Sequence, residues 1–197
     1  TTGSQNTAVG ASALFSNTTG TSNTAFGYDA LKGNTTGIQN TGLGSNALYA
    51  NTTGNYNTAN GLQALFNNTT GSGHTASGWR TLFSNTTGNY NTAFGQGALY
   101  SNTTASENSA FGYRALYNNT TGYENVGMGA YALYANTTGA QNTAMGNSAL
   151  LNNTTGNYNV AVGSGSLISN STSSKNVAIG YEALNQNTVD ANTAVGY

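Results

Sequence analysis

The sequence predicts an all-β protein, a parallel β-solenoid (β-roll) of 17-residue coils, and three observations predict it. The first is a glycine at Gly10, Gly27, Gly44, Gly61, Gly78, Gly95, Gly112, Gly129, Gly146, Gly163 and Gly180, spaced by 17 residues without insertion or deletion. A fixed period of this length marks a stack of identical units and outranks local propensity. The second is a leucine held at one phase in every full copy: Leu14, Leu31, Leu48, Leu65, Leu82, Leu99, Leu116, Leu133, Leu150, Leu167 and Leu184. A disordered polar tract has no reason to keep such a column, whereas stacked coils bury it in every turn. The third is an asparagine column: Asn17, Asn34, Asn51, Asn68, Asn85, Asn102, Asn119, Asn136, Asn153, Asn170 and Asn187. Eleven full coils fill 1–187 and a partial coil fills 188–197, giving a single repeat domain over 1–197. The partial coil reaches Gly196 one residue early, because its turn reads Thr188-Val189-Asp190-Ala191. An in-phase start and an abrupt stop are expected of a segment of a longer fibre, since solenoids normally blunt their ends.

Each coil reads T-T-G-x-x-N-T-A-φ-G-x-x-A-L-x-x-N, where φ is usually apolar. Positions one to three, as in Thr52-Thr53-Gly54, form a turn, with glycine expected to supply a positive φ. Positions four and five vary freely and admit charge (Ser106-Glu107, Ser174-Lys175), so both are expected in solvent. Position six is asparagine apart from His74. Positions seven to nine, as in Thr92-Ala93-Phe94, form a short strand ended by the glycine at position ten. Positions eleven and twelve, holding Asp29, Arg80, Arg114 and Glu182, form a second exposed corner. Positions thirteen to fifteen, Ala-Leu-aromatic, are expected to form a second strand. A helical repeat would need about ten residues per helix, and the glycine bends leave less. Coils stacked about 4.8 Å apart make a rod of roughly 55 Å.

Both asparagine columns are expected to form amide ladders along the axis, each amide donating to the next. The Asn-Thr-Thr corners also match the N-glycosylation acceptor pattern, but an asparagine turned inward cannot carry a glycan.

Neighbours in a strand point to opposite faces, so positions eight and nine cannot both be interior, and neither can fourteen and fifteen. Half of the apolar columns must therefore lie outside the coil. That stripe is an association site, and lateral packing of identical rods is its economical cover.

Asn176-Val177-Ala178-Ile179-Gly180 and Asn159-Val160-Ala161-Val162-Gly163 resemble the head repeats of trimeric autotransporter adhesins of the YadA type. The N-T-A-V-G-x-x-A-L pattern also resembles repeats of phage tail fibres and related surface fibres. The resemblance recurs in each coil, although this repeat is longer and its Ala-Leu-aromatic half is not the adhesin pattern. It implies a left-handed, trimeric β-roll, an extracellular place on a cell or virion surface, and a structural fibre role with adhesion or attachment. The expected partners are a second and third copy of the chain, an end-to-end filament, and a host surface glycan or protein.

Composition narrows the alternatives. Four basic and five acidic residues give a net charge of −1, which lacks the basic face of a nucleic-acid binder or a polybasic membrane patch. With no cysteine there is neither a disulfide framework nor a thiolate metal site. No apolar run approaches a membrane span. Catalysis needs convergent titratable groups, and the five carboxylates are scattered over different coils and columns, away from the single histidine. No enzyme activity, cofactor or metal is expected. A polysaccharide lyase on a β-helix would carry irregular loops with clustered acids, which are missing.

Candidate surface contacts are Tyr56, Tyr90 and Tyr158 at position five, and Trp79 beside Arg80 in the most irregular copy. Amphipathic aromatics on a low-charge surface suit multivalent contact with carbohydrate or protein. An ice-binding solenoid is the alternative raised by the threonine columns. Positions one and two point to opposite sides, and position seven gives one row broken by Val126, Val160 and Val177.

Overall fold

In the computed structural model, which describes residues 2–197, every coil adds one three-residue strand to a single parallel sheet. The twelve strands run from Thr7–Val9 to Thr193–Val195 and lie side by side in chain order. Pairing is in register at the repeat distance, Thr7 beside Thr24 and Ala8 beside Ala25. The last pair sets Val177 beside Thr193, so the residue missing from the final copy is taken out of the turn and the strands stay aligned.

The pleat sorts the strand residues. Between the two end strands position eight is wholly buried, as at Ala25, Ala59 and Ala93, while position nine points outward, with Phe26 58% exposed. A Cβ built on Gly42, which stands at position eight, would lie 3.3 Å from the Ala47 carbonyl oxygen and 3.4 Å from Leu31 Cγ. That space admits alanine and nothing larger. At position ten, Gly112 has φ +138°, and a Cβ there would sit 2.6 Å from the Gly129 carbonyl carbon. Both the backbone angle and the close approach of the next coil require glycine.

The second half of the coil corrects the expectation of two strands: only one forms. Positions eleven to sixteen fold instead as overlapping turns. In the first coil the Ala13 N–H donates to the Gly10 carbonyl (3.3 Å), Phe15 to Ser12 (3.3 Å) and Asn17 to Leu14 (3.1 Å). The intervening residues donate to the next coil, Leu14 to Ala30 (3.0 Å) and Ser16 to Lys32 (3.0 Å). Position twelve has positive φ throughout, and so does every leucine of the column, from Leu14 at 53° to Leu184 at 51°. A residue in the left-handed region cannot continue a pleated strand. The conformation costs a non-glycine residue roughly 1–2 kcal/mol. It persists because the leucine side chain is the core of its coil and both of its backbone groups are bonded.

Positions eight, thirteen and fourteen make a thin interior of two small residues and one leucine per coil. Where position thirteen is polar the hydroxyl bonds locally, Thr81 to the Gly78 carbonyl (2.8 Å) and Ser166 to Gly163 (2.8 Å).

The corner at positions one to three is built on one oxygen. The N–H groups of Thr35, Thr36 and Gly37 and the Thr35 hydroxyl all converge on the Thr52 carbonyl at 3.0–3.3 Å. The glycine here does not have a positive φ, contrary to the sequence expectation. It is needed for space: a Cβ on Gly54 would run into the Asn51 amide oxygen and the Gly71 carbonyl. Ala105 and Ser173 occupy this position in two coils, and the preceding glycines, Gly88 and Gly156, then make no bond to that oxygen.

The two asparagine columns behave differently. At position seventeen the side chains form a continuous amide file: Asn51 Nδ2 donates to Asn34 Oδ1 (2.9 Å) and to the Gly54 carbonyl (3.0 Å). At position six the bonds run mainly between side chain and backbone, and the expected amide ladder forms only from Asn125 to Asn176, where Asn142, Asn159 and Asn176 each donate through Nδ2 to the preceding Oδ1 (3.1–3.2 Å). Asn40 Oδ1 accepts the backbone N–H of Asn57 (3.0 Å), and Asn57 Nδ2 donates to the Gly71 carbonyl (2.9 Å). Asn68 donates to that same carbonyl (2.9 Å), so both columns meet at position three of each coil.

Replacing Asn119 by alanine leaves the Asn102 amide oxygen and one Asn136 amide hydrogen buried without partners. The expected loss is about 2–4 kcal/mol. Asn187→Ala, outside the continuous file, is expected to cost about 0.5 kcal/mol or less. Urea unfolding of the two variants measures the difference; equal losses would show that the file does not hold the coils together.

Candidate functional site

The residues singled out in the sequence fall into separate environments. The leucines from Leu31 to Leu167 are fully buried, and Leu14 and Leu184 in the outer coils are partly buried. The asparagines from Asn34 to Asn170 are fully buried, with their amide hydrogens bonded within the stack, so these Asn-Thr-Thr corners are closed to a glycan in the folded chain. Tyr56, Tyr90 and Tyr158 are 59%, 66% and 55% exposed on the corner before the strand. Trp79, 44% exposed, stands on the corner after it, so the structure does not join it to the tyrosines.

Three placements differ from the sequence reading. Position four is half-buried rather than free, because its small polar side chains accept from the coil before: Ile38 N–H to Asn55 Oδ1 (2.8 Å) and Asn55 N–H to the Ser72 hydroxyl (3.0 Å). Asp29, expected in solvent, is 6% exposed and pairs with Lys32 at 3.2 Å, the one ion pair among the described residues. The apolar residue at position fifteen becomes a stack. Tyr49, Phe66, Phe83, Tyr100, Tyr117 and Tyr134 lie ring on ring, with centroids 4.9–5.6 Å apart.

The one cleft that gathers charge and aromatics lies over this stack at the fifth to seventh coils. It has a volume of about 180 Å³ and is lined by Trp79, Arg80, Gln96, Gly97, Tyr100, Arg114 and Tyr117. Arg80 and Arg114 are the only arginines of the chain, and both stand at position twelve. Each guanidinium lies over two rings: Arg80 over Trp79 and Phe83 at 5.2 and 5.3 Å, Arg114 over Tyr113 and Tyr117 at 5.1 and 5.3 Å. Gly97 occupies position twelve of the coil between them. The Tyr117 ring leans over it, 3.2 Å from where a Cβ would be. The absent side chain therefore opens a notch between the two arginines. Reading Arg80–Gly97–Arg114 down one column carries this signal in the sequence; reading Trp79–Arg80 along one coil does not.

His74 is 1% exposed within the asparagine column and imitates its neighbours. Nδ1 accepts the Asn91 N–H (3.1 Å), as an asparagine oxygen would, which places the ring proton on Nε2 facing the Gly88 carbonyl (2.7 Å). Burial pushes its pKa from 6.5 down to about 4. No group of three or more His, Cys, Asp or Glu that could hold a metal occurs among the described residues. No helix is long and apolar enough to cross a membrane.

Comparison with protein-family models, curated proteins and solved structures gives no match.

The buried histidine makes an acid-sensitive joint. Its folded pKa lies below its unfolded value, so the unfolded chain takes up a proton first as pH falls. The stability contributed by neutral His74 is complete above pH 6.5 and is lost between there and about pH 4. A displacement of that size corresponds to roughly 3 kcal/mol. His74→Asn restores the column residue and is expected to lose less stability than the natural chain between pH 7.5 and pH 4. Parallel urea titrations at the two pH values measure this, and identical losses would refute it.

Proposed function

We propose that this chain is a structural rod, a segment of a fibre that projects from a cell or virion surface and serves adhesion or attachment. In this reading identical copies pack laterally, three to a fibre, through their strand faces. One observation carries it. The outward residues of the sheet form an apolar file interrupted only at Asn60 and Ser77, with Val9, Phe26, Leu43, Phe94, Phe111, Met128, Met145 and Ile179 between 36% and 58% exposed. Phe94 and Phe111 stack along it at 5.4 Å. A stripe of this kind, repeated at the coil spacing, fits its own copy in the same register, and soluble monomers rarely leave so long an apolar surface uncovered. The resemblance of Asn176–Gly180 to trimeric adhesin heads supports three copies. The unbroken period supports a spanning role in place of catalysis.

Native mass in solution, with electron microscopy of the same sample, tests this. Three chains in a thin rod are expected, and Phe94→Lys with Phe111→Lys is expected to release monomers that keep their β-sheet signal. A natural chain that is already monomeric at micromolar concentration would overturn the reading.

A second reading, ice binding, is favoured by one observation. Position two is threonine in all eleven full coils, and Thr19, Thr36, Thr53 and their successors are exposed. The threonines at position one do not widen this file, because their hydroxyls bond to the next coil, as Thr52 does to Thr69 at 3.0 Å. A single row at a corner is not a flat lattice match. Thermal hysteresis no larger than that of an inert protein of equal mass is therefore expected; a clear excess would favour ice over the fibre.

A further inference from the structure

We propose that the notch between Arg80 and Arg114 is a binding site for an acidic saccharide, specifically a sugar ring bearing a carboxylate or sulfate. The argument begins with charge. The chain has four basic residues, and two of them meet here although they are 34 positions apart in sequence. None of the five carboxylates lines the cleft, and the one ion pair among the described residues is elsewhere, between Lys32 and Asp29. Arg80 donates through Nε to Gln63 (2.8 Å), which steadies it and leaves its outer N–H groups free. A guanidinium presents a planar fork of N–H donors that receives a planar or tetrahedral oxyanion through paired hydrogen bonds. Each arginine is held 5.1–5.3 Å from two ring centroids, and the two flank the space beside Gly97.

The rest of the cleft selects what carries the anion. Its volume of about 180 Å³ is below the range of sites that enclose a whole small molecule. It therefore holds one ring or end group of a larger ligand whose remainder stays in solvent. Trp79 offers an exposed indole at one side, while the Tyr117 ring, stacked between Tyr100 and Tyr134, closes the other side with its edge. An indole takes the apolar side of a pyranose, while Gln96 supplies an amide for a ring hydroxyl. An acidic peptide would need a groove running past several residues, and the adjoining coils place Gln63 and Tyr131 at position twelve instead of further cations. Two arginines are also too few for nucleic acid.

The site belongs to one chain and lies beyond the Gly10-type bend, off the strand face, so it stands whether or not the rods associate. Association would add valency: three copies carry three sites.

The test is titration of the full chain, followed by NMR or calorimetry, with sialyllactose, a sulfated disaccharide, neutral lactose, free acetate, free sulfate and an acidic hexapeptide as probes. At least one of the two anionic saccharides is expected to bind saturably, with lactose and the free anions at least tenfold weaker. Arg80→Gln and Arg114→Gln are each expected to reduce binding about tenfold or more, since each removes a charge-assisted hydrogen bond. Gly97→Asn, which tolerates a positive φ, is expected to block the notch with both arginines intact; far-ultraviolet dichroism and the melting profile check that each variant keeps its coils. Equal affinity for lactose, binding by the free anions alone, a preference for the peptide, no binding by any probe, or variants that bind like the natural chain would each overturn the proposal.

Discussion

The interaction on which the rest depends is the hydrogen bond from one buried asparagine amide to the next along the axis. In a coil whose interior is two small residues and one leucine, apolar burial is thin, and the groups that would otherwise be stranded are polar. Each position-seventeen amide donates once along the file and once to the position-three carbonyl, which also receives the position-six amide from the coil before. A buried amide without a partner costs more than a bonded one contributes, so each coil must place these groups at the same height and angle as its neighbours. This fixes the repeat at 17 residues and requires the small residue at position three. The final coil shows the consequence of breaking the spacing. Its turn is one residue short, the Asn187 amide bonds to Val189 instead, and Asn170 Oδ1 is left buried with no acceptor role filled.

The pleat supplies the second constraint. A three-residue strand can turn only its middle side chain inward, so the apolar residue at position nine has to be outside. The same thinness that makes the interior polar sends the larger hydrophobes to the surface, where they line up because the coils are in register. An exposed apolar file is thus a direct product of the repeat geometry. The position-fifteen aromatics show the same effect on the other face, stacked at close to the coil spacing.

Much of the fold was legible because a period leaves few choices. The leucine column and the inward turn of both asparagine columns follow from spacing, and the two-residue pleat requires one of positions eight and nine to face outward, which the structure shows to be nine. The second strand was not legible correctly. Ala-Leu-aromatic carries no mark of the left-handed angle at Leu31 or Leu48, which is imposed by hydrogen bonds to the next coil and not by local preference. Gly54 was read as a conformational glycine when it is a steric one, and sequence cannot separate the two without the neighbouring coil. Asp29 was placed in solvent by its column, but Lys32 lies three residues away and covers it. The tyrosines and Trp79 were rightly placed on the surface, on the corners before and after the strand.

In a stack of this kind, chemistry is written in columns. Residues adjacent in the strand, such as Ala93 and Phe94, leave the coil in different directions, whereas residues 17 apart are held side by side at strand spacing. Positions eleven and twelve bear no share of the core or of the asparagine network, so substitutions there are limited mainly by the left-handed angle at position twelve, which glycine meets most easily. Gly97 between Arg80 and Arg114 satisfies that angle and also removes the side chain that would fill the gap. The frame thereby permits a local, charged concavity at the fifth to seventh coils without disturbing the period on either side. A rod built from one repeated unit can in this way be uniform along its interior and specific at a single height.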